Sequence, residues 1–155
     1  MRSADEWFAE YGESHVNPTN KLIHWICVPA IVVSVIGLLW SLPVPAAFER
    51  ISPALNWGTA FVMAAVVYYF LMSVTLGMGM VVIVLGMMAI VHWLDGFATP
   101  LWLISLVIFV VAWVGQFIGH ILEGKKPSFF KDLQFLMIGP AWLLGFIYRR
   151  LGIPY

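Results

Sequence analysis

The stretch His15-Val16-Asn17-Pro18-Thr19-Asn20-Lys21-Leu22-Ile23-His24-Trp25-Ile26-Cys27-Val28-Pro29 decides how the rest of the chain is read. Its first half is polar, and its second half enters a long apolar segment. Asn17 fits a helix N-cap and Pro18 fits the first helical position. The apolar segment runs from Leu22 to Leu42 and stops at Pro43 and Pro45. That is about the length a helix needs to cross a bilayer. A membrane helix therefore starts inside a polar segment that carries two histidines.

The composition agrees with that start. Of 155 residues, 62% are hydrophobic and only 10% are charged. An ordinary soluble domain carries roughly 25% charged residues. Such a chain is too apolar for disorder. Its formal net charge of zero gives no basic patch for a nucleic acid, so none is expected as a partner. Sixteen charges, eight of each sign, are too few to cover a soluble domain this apolar. The expected class is all-α: an integral membrane helical bundle forming a single catalytic domain over residues 1–155, with the lipid bilayer as its surroundings. The lone Cys27 excludes an intrachain disulfide and a thiolate metal cluster. Residues Met1 to Glu10 are acidic and amphipathic, unlike a secretory signal or an Arg-rich transit peptide. The first apolar segment is therefore expected to remain as a membrane helix.

Further spans are expected from about Ala54 to Met72, from Gly77 to Trp93 and from Leu101 to Ile121. Ser73, Thr75, Gly77 and Gly79 mark a tight break between the second and third; Gly77 and Gly79 also suit a small-residue helix contact. Asp95-Gly96 and Pro100 mark a turn before the fourth. Glu123-Gly124-Lys125-Lys126-Pro127 is a polar break. The last apolar stretch, Leu133 to Ile147, is short for a span and holds Gly139-Pro140 in its middle. With a cytoplasmic N-terminus and a last stretch that dips in and returns, seven of the eight basic residues lie inside and only Arg50 lies outside. A full fifth crossing gives a weaker split of five to three. The expected architecture is four transmembrane helices plus a C-terminal re-entrant or interfacial helical hairpin. The expected location is a bacterial inner membrane, or the endoplasmic reticulum membrane in a eukaryote.

This topology sorts the four histidines. His15, His24 and His120 fall at the cytoplasmic boundary, and His92 falls at the opposite one. Gln116, His120 and Glu123 follow a spacing that puts them on one helix face, as do Asn20 and His24. Ionisable groups near a bilayer usually face a bundle interior or a cavity. Imidazoles ligate Fe, Zn, Cu or Ni, and carboxylates and amides fix their tautomers from behind. The set resembles a nitrogen-rich catalytic site with open positions more than a closed structural one. Lys125 and Lys126 read as headgroup-level topology determinants. Attraction of an anionic substrate head is their functional reading. The tryptophans and tyrosines read mostly as interfacial anchors, and the methionines as adaptable packing.

Two motifs carry a family resemblance. His15 to Trp25 with Cys27-Val28-Pro29, and Trp113-Val114-Gly115-Gln116-Phe117-Ile118-Gly119-His120 followed by Glu123 to Pro127, resemble the motifs of the small membrane 2-hydroxy fatty acid dioxygenases. The resemblance covers almost the whole chain in length and span order. It implies iron(II)-dependent removal of the carboxyl carbon from a 2-hydroxy fatty acid, a step of fatty acid α-oxidation. It implies His24, His120 and His15 as metal ligands for Fe(2+). Glu123, Gln116 and Asn20 follow as catalytic or supporting groups, and Lys125, Lys126 and Lys21 as candidates to steer the substrate carboxylate. The reaction balances: R–CH(OH)–COOH plus O₂ gives R–COOH, CO₂ and H₂O. No external reductant is needed, in keeping with a chain that has no dinucleotide fingerprint. Glu123 is one candidate acceptor for the hydroxyl proton, and the acyl tail is expected in an apolar slot between helices.

Two other classes compete. A zinc hydrolase of lipids would use the same histidines without O₂. A small transporter or metal carrier would need polar residues deep in the spans, and Ile31–Leu39, Val62–Val67 and Val81–Ala89 hold almost none beyond Ser34. Small-residue positions leave room for a homo-oligomer.

Overall fold

The computed structural model describes residues 3–13, 15–124 and 135–155. Among these the chain forms seven helices and no strand. They are α1 (Ala4–Gly12), α2 (Pro18–Trp40), α3 (Ala46–Ile51), α4 (Trp57–Met72), α5 (Val74–Asp95), α6 (Leu101–Leu122) and α7 (Ile138–Leu151). Three of them, α2, α5 and α6, are long and apolar enough to cross a membrane. The 16-residue α4 is apolar but shorter than the other three.

Local chemistry sets the boundaries. Asn17 caps α2 by accepting from the Thr19 and Asn20 backbone N–H groups, and Pro18 needs no partner in the first turn. Ser3 and Glu6 form a reciprocal capping box at the start of α1. The break between α4 and α5 is one residue long. Ser73 ends the first helix in an extended conformation and caps the second through its hydroxyl. Gly77 and Gly79, read from sequence as marks of a turn or as helix contacts, lie inside α5 as contacts. A Cβ at Gly77 would meet the Phe70 ring at 2.6 Å, and one at Gly79 would meet Leu144 at 2.7 Å.

The most extensive helix pairing joins α2 to α6 in antiparallel fashion. Small residues allow it. Gly37 faces Ser105 at one end, Gly115 faces Cys27 nearer the middle, and Gly119 faces Asn20 at the other end. Close backbone approach at small residues is the common basis of helix association in lipid. α4 lies antiparallel to α2, with Gly58 against the Ile36 carbonyl. The start of α2, the end of α4, the start of α5 and the end of α6 therefore share one end of the bundle.

α7 closes that end. All eight residues from Ile138 to Gly145 are buried. Gly139 lies against Val28, and Gly145 lies against Phe8 of α1. The Tyr69 hydroxyl donates to the Met137 carbonyl at 2.7 Å, and the Tyr148 hydroxyl donates to the Thr75 carbonyl at 3.1 Å. Gly139-Pro140, expected as a break in the middle of the last apolar stretch, instead occupies the first turn of α7. Proline fits there because the first N–H groups of a helix have no partner within it.

Candidate metal centre

His15, His24 and His120 converge at this closed end. One ring nitrogen from each lies within 4.8 Å of the others, and all three side chains are buried. Ring centroids are 4.2 Å apart for His15–His24, 5.1 Å for His24–His120 and 5.8 Å for His15–His120. His92 stands exposed in the last turn of α5, at the other end of the bundle.

Each histidine comes from a different local setting. His15 lies between α1 and α2, and His24 lies one turn beyond Asn20 on α2. His120 lies in the last turn of α6. Two of the rings are oriented by the backbone. His15 Nδ1 is 2.6 Å from the Tyr11 carbonyl, and His24 Nδ1 is 2.9 Å from the Asn20 carbonyl. A carbonyl can only accept, so Nδ1 carries the proton in both rings. The neutral ring then keeps its lone pair on Nε2. This is the arrangement that backbone carbonyls impose on metal-ligating histidines elsewhere. A bound ion about 2.1 Å from each nitrogen needs ligand atoms about 3–3.5 Å apart, so small ring movements would close the set. The residues present thus fit a divalent transition ion held by imidazole, a choice that includes iron and zinc alike.

Aromatic side chains wall the cluster. Tyr11 stacks on His15 at 4.2 Å with 14° between the planes, and Trp142 lies 5.6 Å from the same ring. Neither residue stood out in the sequence. Tyr11 precedes His15 by one helical turn, which is a usable signal. Trp142 arrives from α7 through tertiary packing alone.

Asn20 and Glu123 tie the helices around the cluster. Asn20 is fully buried, and its side-chain amide donates to Glu123 at 2.9 Å. The Glu123 carboxylate also accepts from the backbone N–H groups of Val16 at 2.9 Å and Asn17 at 3.0 Å. Partial burial pushes the Glu123 carboxyl up, but the bonds from Asn20, Asn17 and Val16 together hold it below the usual range. Its spacing from His120 suggested one helix face. In the structure Glu123 is the C-cap of α6 and turns toward the start of α2.

Gln116 is buried and lines a small cavity with His24, Tyr11, Trp113 and Leu136. Lys21 is half-buried on the first turn of α2 and does not line that cavity. Lys125 and Lys126 lie outside the described residues.

Comparison with known proteins gives a concordant result. The family described as 2-hydroxy-palmitic acid dioxygenase Mpo1-like matches residues 1–151. The 2-hydroxy-palmitic acid dioxygenase MPO1 of Saccharomyces cerevisiae is 28% identical over 142 residues, covering 89% of this chain and 75% of the yeast protein. No solved structure matches.

Proposed function

The chain belongs to the Mpo1-like family, and from that membership and the histidine cluster we propose that it is an iron(II)-dependent 2-hydroxy fatty acid dioxygenase. Its product would be the fatty acid one carbon shorter, with CO₂ and water released. The observation that carries the reading is the meeting of His15, His24 and His120, three buried imidazoles brought together from around the start of α2 and the end of α6.

The role of each residue follows from its surroundings. His15, His24 and His120 would hold the ion, with Nε2 as the ligand atom of the first two. Bound there, iron(II) would supply open positions that bring the substrate's carboxylate, its hydroxyl and O₂ together. The Tyr11 and Asn20 carbonyls fix two rings and raise the basicity of their ligand nitrogens. Gln116 presents an amide at the cavity wall beside His24, where a carboxylate or hydroxyl head would sit. Val28, Ile31 and Leu136 keep that cavity apolar elsewhere. Glu123 is engaged by three donor groups and stays ionised, so its role is positioning: it holds the first turn of α2 against the end of α6. Lys21, Lys125 and Lys126 keep the role of steering an anionic substrate toward this end of the bundle.

The same reading places the chain as one catalytic unit in the bilayer. α2, α4, α5 and α6 would span it, the N-terminus would be cytoplasmic, and α7 would form the returning limb of a re-entrant hairpin. The test is to purify the protein, measure its bound iron, and identify the product of 2-hydroxypalmitic acid by mass spectrometry. A 15-carbon acid from iron-loaded protein supports the proposal. An unchanged substrate with iron bound and O₂ supplied would refute it.

A further inference from the structure

A second cavity lies deeper in the bundle than the one beside His24. It is enclosed by α2, α4, α5 and the start of α7, and its walls are apolar: Val32, Ile36, Val62, Ala65, Val84 and Met87 among them. Tyr69 also lines it, but the hydroxyl of that residue is bonded to the Met137 carbonyl. Leu136 lines both cavities, so its side chain is part of the wall between the deep void and the space beside His24 and Gln116.

We propose that the deep cavity is the seat of the substrate's hydrocarbon tail, with Leu136 as the partition the tail displaces and the Val62–Ile36–Met87 end as the stop that sets chain length. This inference rests on the functional reading above. Three observations carry it. The cavity adjoins the head-binding space, with Leu136 in the lining of both. Its lining offers an occupant almost nothing polar, and dry apolar voids take apolar ligands. Together the two cavities run along α2 from His24 to Ile36, a length that suits an acyl chain. His24 to Ile36 is twelve residues of helix, about 18 Å at a rise of 1.5 Å per residue. One leaflet of a hydrocarbon core about 30 Å thick is about 15 Å deep, the reach of an ordinary lipid tail. The void is narrow in this structure. Met80, Met87 and Leu136 are the flexible side chains that turn aside as a tail enters.

Two experiments on the full-length protein in lipid nanodiscs test it. The first compares kcat/KM for 2-hydroxy acids of eight to twenty carbons. Val62→Phe should lower the ratio of long-chain to short-chain turnover at least tenfold, and Met87→Ala should move the preference toward longer chains. A proportional loss at every length would overturn the assignment. The second needs neither a variant nor turnover. A 2-hydroxy acid with a photoreactive group at its terminal carbon should label Val62, Ile36 or Met87, and 2-hydroxypalmitic acid should compete the label away. Labelling confined to outward-facing residues such as Val67 and Leu85 would overturn the proposal. Competed labelling without any turnover would leave the tail site standing and refute the reaction. Turnover with no label in the cavity would do the reverse.

Discussion

The side chain of Asn20 donates to Glu123 at 2.9 Å, and this bond ties the first turn of α2 to the C-cap of α6. The backbone carbonyl of the same asparagine orients His24. One residue therefore links a carboxylate more than a hundred positions away to the ring that would hold the metal. Replacing Glu123 by Gln keeps the shape but removes the charge that strengthens its bonds. Supporting contacts behind metal ligands typically change affinity or activity 10–100-fold when lost. Glu123→Gln is expected to lose activity and metal occupancy within that range, and Glu123→Ala to lose more. Metal content and turnover on the same preparations check this; a Gln variant with full occupancy and activity would contradict it.

The acid side of the stability profile follows from the same carboxylate. Its value in the folded protein lies below the ordinary 4.5. A depressed carboxyl contributes stability that is fully present above the unfolded value and is lost as pH falls through the folded one. The gap in thermal midpoint between wild type and Glu123→Gln should therefore be constant near neutrality and narrow below pH 4.5. A gap that widens on acidification would contradict the assigned bonds.

The three clustered histidines should behave as one unit and His92 should stand apart. Single changes to Ala at His15, His24 or His120 are expected to reduce bound metal several-fold or more and to abolish turnover. His92→Ala, on an exposed turn at the other end of the bundle, should keep both. Equal losses for all four would place the metal elsewhere.

Gly119 and Gly86 form a matched pair. A Cβ at Gly119 would overlap the Asn20 side-chain oxygen and reach 3.4 Å from His24 Cε1. Gly119→Ala should force α2 and α6 apart, with a cost of about 1–3 kcal/mol for overpacking and a loss of metal. Around Gly86 nothing lies within 4 Å of a Cβ. Gly86→Ala should be neutral or slightly stabilising. Thermal midpoints of the two variants in one detergent decide the point.

Much of this arrangement was legible in the sequence, and the limits have physical reasons. Asn17 and Pro18 marked the start of α2 because capping chemistry is local. The expected tight break after Met72 fell at Ser73, but its place was blurred because Gly77 and Gly79 also looked like turn residues. The separation of His92 from the other histidines followed from counting crossings, which needs only apolar length. The orientation of Glu123 was not legible, because the helix ends one residue before it and the expected shared face ends there too. The short α3 was not expected at all, since six residues carry too little periodic pattern. Trp142 and the partition at Leu136 depend on how α7 returns into the bundle, which no local spacing encodes.

Oxygen uptake tests the central claim most directly. On addition of 2-hydroxypalmitic acid to the iron-loaded protein, one O₂ should be consumed for each acid converted and one CO₂ released. The His24→Ala, His120→Ala double variant should consume none. Conversion of the acid without O₂ uptake would contradict the dioxygenase reaction, and full uptake by the double variant would remove the three-histidine centre from the chemistry.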